Sequence, residues 1–191
     1  MKVLKNEIWW ESSKKTKLLK TLEHEIKILQ KINHENVIKF EGISLNWKEE
    51  KFAIVTEYIE GETLGQILEK KSLTIEESIE IIKQIIEGVA HLHNKSNKPQ
   101  IIHKDLKPEN IMVTEGKVKI IDLGIAGVTT LTNLFWSFKT TAVGKKAGTF
   151  LFMAPEVFLS NNPTITTAYD IFSLGLILNQ IFSKDPPIGF Y

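Results

Sequence analysis

Apolar residues fall at Leu18, Leu22, Ile26, Leu29 and Ile32, and this spacing of three and four predicts a helix that stops at the polar break Asn33-His34-Glu35-Asn36. Two runs rich in β-branched residues follow, Val37 to Leu45 and Phe52 to Thr56. They read as strands joined through Asn46-Trp47-Lys48-Glu49-Glu50. Thr63 to Lys70 reads as a short helix. Thr74-Ile75-Glu76-Glu77 has the threonine-to-glutamate spacing of a capping box. Behind it, Ile75, Ile79, Ile82, Ile86 and Val89 repeat with helical spacing to about Asn94, which predicts a long helix buried along that stripe. Near the end, Ile171, Leu174, Leu178 and Ile181 mark another helix, stopped by Asp185-Pro186-Pro187.

Between the two long helices the pattern changes period. Ile111-Met112-Val113 and Val118-Lys119-Ile120-Ile121 flank Thr114-Glu115-Gly116-Lys117, which reads as a hairpin. Asp105 and Asn110 lie just before it and Asp122 just after it, so the hairpin brings all three to one edge. These residue types suit one chemistry. A carboxylate and an amide oxygen can hold Mg²⁺, a hard ion that keeps waters and substrate phosphates in its shell. A separate carboxylate can orient and deprotonate a hydroxyl, and Lys107 can neutralise charge on a transferring phosphoryl group.

Composition narrows the picture. The 191 residues are enough for one domain or two small lobes. A net charge of +1 makes no electrostatic case for nucleic acid or an anionic membrane. There is no cysteine, hence no disulfide framework and no thiolate metal site, which suits a reducing compartment. No apolar run is long enough to span a bilayer, and Met1-Lys2-Val3-Leu4-Lys5 lacks a signal-peptide pattern; an intracellular, cytoplasmic location is expected. All 24 basic residues are lysine. Lysine cannot reproduce the planar bidentate fork of arginine, so any role that needs the fork is unfilled.

His103-Lys104-Asp105-Leu106-Lys107-Pro108-Glu109-Asn110 resembles the protein kinase catalytic loop. Asp122-Leu123-Gly124 resembles the family's metal-binding motif, and Met153-Ala154-Pro155-Glu156 the end of its activation segment. Each alone is a weak signal; in this order and spacing they are specific. The resemblance implies an α+β, two-lobed protein kinase-like fold, truncated at both ends. Residues 1–191 are then a partial kinase domain, with 1–57 the remnant of a small β-rich N-lobe and 58–191 a mainly helical C-lobe through helix F.

The resemblance also assigns roles, position by position. Asp105 is the catalytic base, Lys107 contacts the γ-phosphate, and Asn110 and Asp122 ligate Mg²⁺. His103 is mainly structural. The backbone carbonyl of Glu57 and the backbone N–H of Ile59 meet the adenine edge of ATP, Met112 packs beneath the base, and Thr56 guards the back pocket or simply ends a strand. Lys2 contacts the α- and β-phosphates with Glu25 as its partner; otherwise they are an ordinary terminal lysine and a solvated helix charge. Thr149 bridges the catalytic aspartate and lysine, or is a turn hydroxyl. Asp170 accepts hydrogen bonds from the catalytic-loop backbone, favours the N-terminal end of its helix, or both. His91 and His93 read as packing or capping residues. Trp9-Trp10 packs on the small lobe or marks a contact surface. Thr129, Thr130, Thr132, Thr140 and Thr141 are phosphosite candidates or polar loop residues.

Several positions depart from the family pattern. Lys104 stands where an arginine is usual, and loses the bidentate grip on a phosphorylated activation loop. Leu123 replaces a phenylalanine and keeps an apolar plug. No G-x-G-x-x-G occurs, and Glu156 lacks an arginine to pair with. The expected function is a serine/threonine protein kinase that transfers the γ-phosphate of ATP to a protein hydroxyl, with Mg²⁺, a protein substrate and a regulatory protein partner. The alternative is a truncated non-catalytic kinase-like binding module. A small-molecule kinase of similar fold is a third, weaker reading.

Overall fold

The computed structural model describes residues 26, 27, 29–46, 51–94, 96, 100–123, 151–156 and 165–183. Among them, residues 26, 27 and 29 are helical and close a turn in which Gln30 N–H donates to Ile26 O at 2.9 Å. Two strands follow, β1 (Phe40–Asn46) and β2 (Lys51–Thr56), paired antiparallel with Ile43 opposite Ile54 and a register shift between Phe40 and Gly42. A second sheet comprises β3 (Glu62–Thr63), β4 (Ile111–Thr114) and β5 (Lys117–Ile120) in the order β3-β4-β5, all antiparallel. The helices are α1 (Leu64–Lys70), α2 (Ile75–His93) and α3 (Thr167–Ser183). This mixture of small antiparallel sheets and helices is the expected α+β class.

β1 starts later than the sequence pattern predicts. Val37 forms an isolated parallel bridge with Ile120 instead. Ile38 N–H donates to Ile120 O at 2.9 Å and Ile120 N–H to Asn36 O at 2.8 Å. Val37 and Ile38 are β-formers by composition, but the backbone partner that takes them is β5 of the other sheet.

Local chemistry sets the helix starts. Thr63 and Thr74 each close a complete capping box, with Gln66 and Glu77 respectively. The Thr74 N–H bond, then Lys71, holds the Glu77 carboxyl below its ordinary range. The β4–β5 turn places both Glu115 (φ 48°) and Gly116 (φ 78°) in the left-handed region, the combination that a tight two-residue hairpin turn requires.

The buried face of α2 is not the predicted one. Ser78, Ile81, Ile85, Gly88, Val89 and Leu92 are buried, whereas Ile75, Ile79 and Ile86 are exposed, at 68%, 56% and 44%. Of the predicted stripe only Val89 is buried, with Ile82 half-buried. Small residues decide the face. A Cβ on Gly88 would sit 2.8 Å from Ile120 Cδ1 and 2.9 Å from Asn36 O, so only glycine lets the helix backbone approach β5 this closely. The same ambiguity affects α3, which is apolar nearly all round. Leu174 and Ile181 are buried as predicted and Leu178 packs at the core margin, but Ile171 is 54% exposed. Tyr169, Ser173 and Ile177 take the inner face instead.

The core forms two clusters. One joins α1, α2, β4, β5 and α3 through Leu64, Ile85, Ile111, Ile120 and Ile177, all fully buried. The other gathers Leu29, Ile32, Val37, Leu92, Ile101 and Leu123. Leu106 lies in the first cluster and Leu123 in the second, so the segments bearing Asp105 and Asp122 are both anchored by buried leucines.

Candidate active site

The loop before β4 is built on a carboxylate from α3. Asp170 is wholly buried, and its oxygens accept from His103 N–H at 2.7 Å, Lys104 N–H at 2.9 Å and His93 Nε2 at 2.7 Å. Lys104 has φ 65°, an uncommon backbone state for a residue with a side chain. The bonds to Asp170 hold it there. Ile101 N–H donates to Leu92 O at 3.0 Å, which ties the loop's start to α2. The sequence expectation for Asp170 is met, and His93 joins the same carboxylate.

His103 points inward, fully buried. Its Nδ1 accepts from Asp105 N–H at 3.3 Å and its Nε2 reaches Ile121 O at 2.9 Å. Both contacts are satisfied together by the neutral Nε2–H tautomer, with Nε2 donating. The ring therefore links the loop of Asp105 to the residue before Asp122.

Asp105 is 9% exposed. Lys107 Nζ lies 3.1 and 3.3 Å from its two carboxylate oxygens. Asn110 Nδ2 donates to Asp105 O at 2.7 Å and Oδ2 at 3.1 Å. A 3₁₀ turn, Pro108–Asn110, places the amide, with proline at a first-turn position where no N–H is needed. Because Asn110 spends its NH₂ on Asp105, its oxygen remains the atom suited to a cation. Ile121 N–H donates to Asn110 O at 2.9 Å, continuing the β4–β5 ladder, and sets Asp122 beside Asn110. Asp122 has φ 65°, a second strained position at the same edge. One carboxylate and one amide oxygen are hard donors that fit Mg²⁺ with waters and phosphate completing its shell. Among the described residues no group of three His, Cys, Asp or Glu could hold a metal without such help.

A second group lies at the end of β2. Glu57 N–H donates to Lys39 O at 3.0 Å, and Glu57 Oε1 accepts from Lys39 N–H at 2.7 Å and from Lys119 Nζ at 2.6 Å. Partial burial works against its charge, but Lys119 and the Lys39 N–H outweigh that, and the carboxyl lies below its ordinary range. Thr56 is exposed, and its hydroxyl donates to Glu57 O at 3.3 Å. Ile59 packs against the second core cluster. Met112, half-buried on β4, pairs with Thr63 on one side and Lys119 on the other.

The structure thus brings Asp105, Lys107 and Asn110 into one hydrogen-bonded group with Asp122 beside it. Glu57 reaches the strand next to Met112. Lys2, Glu25 and Thr149 lie outside the described residues, as do Trp9, Trp10 and the activation-segment threonines.

Four polar positions, Ser173, Asn36, Gln84 and Tyr169, were not singled out from the sequence. Ser173 on α3 donates through its hydroxyl to Phe152 O at 2.7 Å and Tyr169 O at 3.2 Å, tying residues 151–156 to that helix. A lone small polar residue on an apolar helix was the available signal. Asn36 Nδ2 donates to Val118 O at 2.9 Å and Gln84 Oε1 at 3.0 Å; Gln84 in turn holds Val118 N–H and Gly116 O. Nothing local distinguishes these amides from surface ones. Tyr169 is 2% exposed, and burial, then the nearby carboxylates of Asp105 and Asp170, push its phenol well above the ordinary range. It is therefore a neutral wall of the site. His34 and His91 stack, with ring centroids 4.8 Å apart. Burial first, and His34 second, hold His91 below its ordinary range. Among the described residues no helix is long and apolar enough to cross a membrane.

Known proteins resemble this chain over most of its length. The family model described as the protein kinase domain matches residues 1–189. The serine/threonine-protein kinase TIO of Arabidopsis thaliana is 37% identical over 179 residues, which is 93% of this chain and 12% of that protein. The serine/threonine-protein kinase VIK of the same plant is 30% identical over 90% of this chain and 38% of its own length. The human receptor-interacting serine/threonine-protein kinase 1 is 34% identical over 87% of this chain and 25% of its own length. The chain therefore spans well under half the length of these relatives.

Proposed function

The chain belongs to the protein kinase domain family, and on that premise we propose that it transfers the γ-phosphate of ATP to a serine or threonine hydroxyl of a protein. The observation that carries this reading is the hydrogen-bonded group of Asp105, Lys107 and Asn110, with Asp122 held beside it by the Ile121–Asn110 bond.

Asp105 orients the incoming hydroxyl and accepts its proton as the oxygen bonds to the γ-phosphorus and the bond to the ADP oxygen breaks. Lys107, already against both carboxylate oxygens, sits where charge on the transferring phosphoryl group is neutralised. Asn110 keeps Asp105 in place through its NH₂ and, with Asp122, would hold Mg²⁺. When bound, that ion offsets phosphate charge. The Glu57 carbonyl and Ile59 N–H read the adenine edge above Met112. Lys2 with Glu25 on the α- and β-phosphates, and Thr149 between Asp105 and Lys107, complete the proposed set. Residues up to Glu57 serve as the small lobe and those from Tyr58 as the large one.

The deciding experiment is Mg²⁺·ATP-dependent phosphate transfer to a generic protein substrate, with Asp105→Asn alongside. Loss of a general base predicts a rate drop of about 10²–10⁴-fold in the variant. A folded wild-type chain that transfers nothing would overturn the catalytic reading and leave a non-catalytic binding module.

A further inference from the structure

We propose that the Glu57 side chain, through Lys119, is a positioning residue that sets the adenine-reading backbone, and thereby the preference for ATP over other nucleoside triphosphates. The inference rests on the nucleotide site proposed above and adds to it a side chain whose backbone alone was given a role.

The geometry is that of a brace between two sheets. β1 and β2 form one sheet, and β5 is the outer strand of the other. Glu57 is the first residue after β2. Its N–H and its carboxylate both engage Lys39, so the residue is gripped from one side by main chain. From the other side its carboxylate takes Lys119 Nζ at 2.6 Å, and both side chains are only about one quarter exposed, at 26% and 24%. Lys119 stands opposite Met112 in the β4–β5 ladder. The ion pair therefore spans from β5, the neighbour of the strand proposed to lie under the base, to the segment along its edge. Thr56 is the last residue paired in the β1–β2 ladder, Glu57 keeps one backbone bond to Lys39, and no strand partner holds Tyr58 to Glu60. A segment without ladder bonds keeps its direction through its side-chain anchors.

The Lys39 ammonium attracts Glu57 less strongly than Lys119 does, and among the described residues no hydrogen bond joins the Lys39 and Glu57 side chains. Lys39 Nζ is committed to Glu41 at 2.9 Å, on an exposed surface. Among the described residues, Lys119 is the ammonium hydrogen-bonded to the Glu57 carboxylate, which bridges that ammonium and the Lys39 backbone N–H at once. Removing the charge from either end releases the brace but leaves every phosphate-facing residue in place.

That separation gives the test. ATP presents an exocyclic amine where the Glu57 carbonyl would accept, while GTP presents a carbonyl there and shares the same ribose and triphosphate. Dissociation constants for Mg²⁺·ATP and Mg²⁺·GTP would be measured by titration calorimetry on the wild-type chain, Glu57→Gln, Lys119→Met, their double variant and Lys119→Arg. Each charge-removing single variant should weaken ATP about tenfold and GTP less than about twofold, narrowing the preference. The double variant should be no weaker than the weaker single, as expected of two ends of one interaction. Lys119→Arg should bind ATP within about twofold of wild type. Singles that bind ATP as tightly as wild type would overturn the proposal, as would equal weakening of both nucleotides. A wild-type chain that binds neither nucleotide would overturn the nucleotide site itself, and this inference with it.

Discussion

Asp170 concentrates the residue-scale physics of this chain. A carboxylate with no solvent access is tolerable only when its lone pairs are filled, and here two backbone N–H groups and an imidazole fill them. The contact works in both directions, because Lys104 holds a left-handed backbone that its own side chain does not favour. Asp170→Ala should cost about 2–5 kcal/mol, since it removes the acceptor of the buried His103 N–H and the partly buried Lys104 N–H, at about 1–3 kcal/mol each. Urea denaturation checks it, and a loss below about 1 kcal/mol would mean the loop is held elsewhere. The sequence pointed to Asp170 as an acceptor for this loop but not to His93, whose ring arrives from 77 positions away.

Ambiguity enters at the scale of elements. The capping boxes at Thr63 and Thr74 and the Glu115–Gly116 turn are legible, because each depends on residue types a few positions apart. The inner face of α2 is not. Isoleucines at 75, 79, 81, 82, 85 and 86 lay down two stripes at helical spacing, and periodicity supports both equally. Packing chooses the one beside Gly88 and Ser78, where the small residues admit β5 and the Thr74 turn. A pair of neighbouring substitutions tests the choice. Ile85→Ala should destabilise by about 2–5 kcal/mol, as expected for a fully buried isoleucine. Ile86→Ala, one position on and 44% exposed, should cost below about 1 kcal/mol. Reversed magnitudes would restore the stripe expected from the sequence. α3 repeats the lesson, with Ile171 outside and Ser173 inside.

For the whole molecule, Asn36 and Gln84 matter more than their size suggests. Together they join the loop after the first helical residues, the middle of α2 and the β4–β5 hairpin. The hairpin ends at Asn110 and Asp122, so this junction lies behind the candidate metal-holding edge. Asn36 Oδ1 is buried with no partner among the described residues, so the amide contributes through its NH₂ alone. Asn36→Ala leaves Val118 O without that donor and should cost about 1–3 kcal/mol. The amide of Ile120, which donates to Asn36 O, should also exchange with solvent faster. Unchanged exchange there would show that the Val37–Ile120 bridge holds this junction without the side chain.

What the sequence determined by itself was the order of chemical groups and the local devices that present them. Asp105, Lys107, Asn110 and Asp122 around a hairpin, with capped helices on either side, follow from residue type and short spacing, and they carry family membership with them. Tertiary structure alone decided which isoleucine stripe is buried, that Val37 and Ile38 serve β5, and that Glu57 meets Lys119 62 positions later. The physical reason is range. Caps, turns and ladder ends are set by bonds spanning a few residues. The choice among equally apolar faces, and the pairing of distant charges, depends on which surfaces approach closely enough to exclude water, and a Cβ at Gly88 or a missing carboxylate at Asp170 changes that without altering any local pattern.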